Sequence, residues 1–87
     1  MATVFIPALL RKLTGGKDRV QAQGNSVWEV VDNLERQFPG IRERIVQGND
    51  LAPSLAVSVD GEVVPTRLLE PVQETSEIHF LPAIGGG

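Results

Sequence analysis

At 87 residues the chain is long enough for one domain. A domain of this size buries only about 60–65% of the surface its unfolded chain exposes, which disfavours a large enzyme active site. The formal net charge of −3 argues against nonspecific binding to nucleic acid or to an anionic membrane. With no cysteine and one histidine, His79, disulfides, thiolate nucleophiles, cysteine-ligated zinc and a histidine-built metal site are all excluded. No apolar stretch approaches the roughly 20 residues of a membrane span, and the N-terminus lacks the basic-then-apolar pattern of a signal peptide. A cytoplasmic protein is the expectation.

The opening Thr-Val-Phe-Ile-Pro-Ala-Leu-Leu of residues 3–10 reads as a strand, with Val4 and Ile6 on one face and Thr3 and Phe5 on the other. Pro7 lacks an N–H and bends or ends it. Thr14-Gly15-Gly16-Lys17 is a turn, not a phosphate loop, because no P-loop spacing follows. Residues 18–23 alternate and predict a second strand, antiparallel to the first. Ser26-Val27-Trp28-Glu29 fits a capping box that opens a helix. Val27, Val30, Val31, Leu34 and Phe38 share one stripe of it, while Asp32, Glu35 and Arg36 fall on the wet side. Pro39-Gly40 stops it, and residues 41–46 offer a further short helical turn. Residues 47–54 read as a loop.

Leu55, Val57 and Val59 alternate with smaller or polar neighbours in a third strand. Asp60-Gly61 is a strong two-residue hairpin signal, returning residues 62–64 as a short strand that Pro65 marks as an edge. Residues 66–76 are irregular. Residues 77–81 form the last strand, with Ile78 and Phe80 inward, His79 and Leu81 outward, and Pro82 ending it. The predicted fold is an α+β two-layer sandwich: a mixed sheet of four to five strands with one main helix on one face, and the first and last strands central and parallel. That is the β-grasp, or ubiquitin-like, order. The domain spans residues 1–82, and residues 83–87 form a glycine tail.

Three stretches resemble the ubiquitin-like sulfur carriers, the family that includes the small subunit of molybdopterin synthase and the thiamine sulfur carrier. They are Val4-Phe5-Ile6-Pro7, the loop from Leu10-Arg11 through Thr14-Gly15-Gly16, and Phe80-Leu81-Pro82-Ala83-Ile84 with its glycines. The first two are closest to the carrier of phosphoserine-dependent cysteine biosynthesis. Members of the family usually end in a small or apolar residue and two glycines; this chain ends in three. The resemblance implies that Gly87 is adenylated and converted to a thiocarboxylate by an E1-like partner, which uses ATP. Gly85 and Gly86 would thread the partner's active site, and a sulfur-accepting synthase would follow. It further implies a docking surface on the open face of the sheet. Phe5 and Leu81 would form the patch there, beside Pro7. No cofactor or metal is expected on the chain itself, which would be a carrier and not an enzyme, monomeric when free.

The chemistry suits a glycine end. An acyl carbon with no adjacent side chain is sterically open, and glycine backbone passes a narrow channel. Extended, residues 82–87 reach roughly 16 Å. The competing readings are a protein modifier joined to lysines through Gly87, and a β-grasp binding module with an inert tail. Trp28 is read as a partly buried helix residue, His79 as a surface strand residue, and Arg36, Arg42 and Arg44 as a solvated helix face.

Overall fold

The structure, a computed structural model, describes residues 1–83. The expected tail residues Gly85, Gly86 and Gly87 lie outside the described residues. Seven strands and two α-helices run in the order β1 (Ala2–Phe5), β2 (Arg19–Ala22), α1 (Val27–Gln37), α2 (Ile41–Ile45), β3 (Val46–Gln47), β4 (Asp50–Leu51), β5 (Leu55–Val59), β6 (Glu62–Val63) and β7 (Glu77–Pro82). Five of the strands make one sheet in the order β2-β1-β7-β5-β6; β3 and β4 pair separately as a small ribbon. β1 and β7 are parallel at the centre of the five, and every other pair in that sheet is antiparallel. This is the β-grasp arrangement the element order predicts.

Alternation decides which face is buried. Val4 lies opposite Val20 on one side and Ile78 on the other, and Val57 lies opposite Phe80. These inward residues are each 8% exposed or less. They meet Val27, Val30, Val31 and Leu34 of α1 and Ile41 and Ile45 of α2, all essentially buried. The burial of these side chains, each contributing about 1.5–3 kcal/mol on transfer from water, holds the two layers together. Phe38, the last residue of the predicted stripe, follows the end of α1 and packs at the margin of this core.

Local signals act where expected. The Ser26 hydroxyl accepts the Glu29 N–H at 3.2 Å. The Glu29 carboxylate reaches back one residue further than a standard capping box, to the N–H of Asn25 at 3.0 Å. Asp60 and Gly61 both take positive φ, 53° and 89°, as a type I′ hairpin requires. The Asp60 carboxylate then accepts from the Ser76 hydroxyl and the Glu77 N–H, locking the hairpin to the start of β7.

Several boundaries differ from the sequence reading. The first strand stops at Phe5, and residues 8–14 form a 3₁₀ helix that buries Leu10 and Thr14. Pro7 starts that helix, since its fixed φ suits the entry and its missing N–H costs nothing there. β7 runs through Pro82, and the next residue continues the ladder by donating the Ala83 N–H to the Ser54 carbonyl at 2.9 Å. Residues 47–54, read as a loop, contain the second strand of the ribbon. Glu35, placed on the wet side, is a structural anchor. Its carboxylate accepts the N–H of Gly40 at 3.1 Å and of Arg42 at 2.9 Å, fixing the start of α2 against α1. Those bonds, with the Arg42 guanidinium nearby, hold its carboxyl below the usual glutamate range against a smaller opposing effect of desolvation.

Candidate functional site

One face of the five-stranded sheet is covered by helix and the other is open. Register places Arg19, Phe5, His79, Ser58 and Val63 in a single row across all five strands on the open face. The Phe5 ring stacks on the His79 imidazole, with centroids 4.1 Å apart and planes 16° from parallel. The Arg19 guanidinium lies 5.8 Å from the centre of the Phe5 ring, close enough for a cation–π attraction. Ser58, beside His79, is buried.

Because β1 and β7 are parallel, both finish at the same end of the sheet. There the chain leaves β1 through Pro7 and leaves β7 toward its C-terminus. A groove of about 270 Å³ opens at this end, lined by Phe5, Pro7, Arg11, Asp18, His79 and Leu81 among others. Two hydrogen bonds tie its lining together: the Ile6 N–H donates to the Asp18 carbonyl at 2.8 Å, and the Arg11 guanidinium donates to the Ile6 carbonyl at 3.0 Å. Leu81 is 37% exposed, and Phe5 and Pro7 are half-buried.

Phe5, Pro7 and Leu81, singled out from strand alternation and resemblance, therefore line one groove. It adjoins the point where the described chain ends at Ala83. Gly85, Gly86 and Gly87 lie outside the described residues. His79, read as an unremarkable surface residue, belongs to the same surface. The signal that could have found it is the parallel register itself, which sets His79 directly opposite Phe5. Arg11 enters from the 3₁₀ helix of residues 8–14, which alternation could not reveal, and Asp18 from the residue just before β2.

The other singled-out residues lie elsewhere. Trp28 is half-buried against the core, with the Arg42 guanidinium 5.2 Å from its ring centre. Arg42 also pairs with Asp32 at 3.4 Å. These contacts belong to the helical layer, on the far side of the sheet. Among the described residues no cluster of three or more His, Asp or Glu side chains is placed to hold a metal ion, and no helix is long and apolar enough to cross a membrane.

The ThiS family model matches residues 4–87. The sulfur carrier protein CysO of Mycobacterium tuberculosis is 32% identical over 90 residues, covering 98% of this chain and 97% of that protein. A chain of the crystal structure of the Amycolatopsis orientalis BexX/CysO complex superposes with a TM-score of 0.91 at 36% identity, covering 100% of both chains. The crystal structure of Mycobacterium tuberculosis CysO superposes with a TM-score of 0.88 at 30% identity, covering 97% of this chain and 100% of that one. The family match runs from the first strand to the last residue, the CysO likeness covers nearly the whole chain, and the chain belongs to the ThiS family.

Proposed function

We propose that the chain is a sulfur carrier, with cysteine biosynthesis the favoured destination, and that Gly87 is its working residue. The observation that carries this reading is the near full-length likeness to CysO in a chain that ends Gly86-Gly87. The carboxylate of Gly87 attacks the α-phosphorus of ATP on an E1-like partner, and pyrophosphate leaves with the bonding electron pair. The terminal sulfur of a persulfide on the partner then attacks the acyl carbon, and AMP departs. A thiol reductant cleaves the resulting S–S bond and leaves the thiocarboxylate on Gly87. The partner supplies the nucleophile. Sulfur is carried on the main chain, in keeping with a sequence that has no cysteine.

The fold supports this reading by placing the root of the tail. Ala83 is tied to Ser54, so the terminal carboxylate lies four residues beyond a fixed point, a reach of at most about 13 Å. The groove of Phe5, Pro7 and Leu81 sits beside that root and gives an activating enzyme a surface to grip while the tail enters its ATP site. A sulfur-accepting synthase would meet the same end of the molecule. Supplied with ATP, a sulfur source and the activating partner, the full chain should gain about 16 Da, the exchange of oxygen for sulfur at an activated carboxyl. An unchanged mass would reject the proposal.

A further inference from the structure

The charges of this chain are distributed unevenly. Residues 11–19 hold Arg11, Lys12, Lys17 and Arg19, half of the eight basic residues, against a single acid, Asp18. The excursion is thus formally +3 in a chain whose total is −3. It lies at the tail end of the sheet, since it connects the end of β1 to the start of β2. Acids gather at the opposite end: Asp60 and Glu62 flank the β5–β6 turn, and Glu77 starts β7. The domain is therefore polarised along its strands, positive at the end where β1 and β7 finish and negative at the end where β7 starts.

The positive end is also built to stay in place. Thr14 is 1% exposed, and its hydroxyl lies 3.1 Å from the Arg11 carbonyl and 2.9 Å from the Lys17 carbonyl, joining the two arms of the excursion. The Gly16 N–H adds a third link to the Arg11 carbonyl at 2.7 Å. Among the described residues none of the four cations is in an ion pair; the salt bridges there use Arg42 and Arg67. An ordered, unneutralised cationic collar thus borders the Phe5–Leu81 groove.

We infer that this collar docks an acidic surface of the enzyme that activates Gly87, steering the tail end of the carrier toward it. The inference rests on the carrier reading above and adds the chemistry of the partner. Complementary charge of this kind acts mainly on the association rate, and salt weakens it. The screening length shrinks from about 10 Å at 0.1 M salt to about 3 Å at 1 M.

The test follows thiocarboxylation of the purified full chain by intact mass, in a desalted extract of its native cell supplied with ATP and cysteine. The carrier is kept at limiting concentration so that association controls the rate. Lys12→Glu/Lys17→Glu reverses two exposed side chains that make no hydrogen bond or ion pair among the described residues. Arg36→Glu/Arg44→Glu makes the same charge change on the helical layer. At about 0.1 M KCl the collar variant should react at least tenfold more slowly than the unaltered chain, the deficit should shrink toward parity near 0.5 M, and the helix variant should stay within about twofold. A collar variant as fast as the unaltered chain, a deficit that salt leaves unchanged, or an equal loss in the helix variant overturns the inference. An unaltered chain that gains no mass overturns the carrier reading itself. Lys12→Gln/Lys17→Gln, which removes charge without reversing it, keeps the test open if circular dichroism shows the reversal to be unfolded.

Discussion

Phe5 sits between the Arg19 guanidinium and the His79 imidazole, half-buried on the open face of the sheet. It is not among the side chains buried in, or packed against, the core formed with the helices. Phe5→Asp should therefore leave the fold cooperative, while removing the apolar anchor that the proposed docking assigns to Phe5. Such a loss is worth about 2–4 kcal/mol in association. Thermal unfolding checks the first half of that expectation, and the rate of thiocarboxylation at limiting carrier checks the second. An unfolded Phe5→Asp variant would mean that the ring supports the core. Strand alternation placed Phe5 and Leu81 on the open side, and both side chains are there. The stacking of Phe5 on His79 was not legible, because alternation fixes the face of a residue and not its neighbour across the sheet. Only register supplies that. Glu35 illustrates a different limit. A helical wheel assigns it to solvent, yet the chain reverses at Pro39-Gly40 and brings the N–H groups of Gly40 and Arg42 back onto its carboxylate.

That carboxylate makes the joint between α1 and α2 dependent on pH. Its folded-state pKa lies below the ordinary glutamate value, so its contribution to stability is fully present above that value. The contribution is lost as the pH falls through the ordinary range toward the lowered folded value. Glu35→Gln should consequently unfold at lower urea than the unaltered chain near pH 7, and the two midpoints should converge as the pH falls below the lowered folded-state value. A gap that stays constant would show that the charge is irrelevant. Entry to α1 depends on a close approach instead. A Cβ on Gly24 would stand 2.7 Å from the Val30 nitrogen and 2.9 Å from the Glu29 carbonyl carbon, so Gly24→Ala must displace the first turn. Overpacking of this kind costs about 1–3 kcal/mol, measurable by denaturant unfolding. Long periodic elements were legible in the sequence: α1 from its stripe, the β5–β6 hairpin from Asp60-Gly61, and β7 from its alternation. The 3₁₀ helix of residues 8–14 was not, because Ala-Leu-Leu after a strand continues an apolar run, and a 3₁₀ turn has too few residues to show a period. The two-residue strands of the ribbon are shorter still.

At the scale of the whole molecule, one arrangement serves several ends. Parallel pairing of the first and last strands brings Pro7, Leu81, the cationic excursion and the departing chain to a single edge of the domain. The two α-helices cover the opposite face of the sheet. The proposed carrier role needs little else: a stable body, a grip and a reactive terminus tethered within a limited distance of that grip. The Ala83–Ser54 hydrogen bond sets where that distance begins. The central claim is that sulfur is loaded on Gly87, and the intact mass of the full chain isolated from its native cell tests it most directly. The account predicts a species about 16 Da heavier than the sequence mass, with the added mass confined to a C-terminal fragment that ends in Gly87. A chain found only at its unmodified mass, under conditions where the sulfur pathway is active, would contradict it.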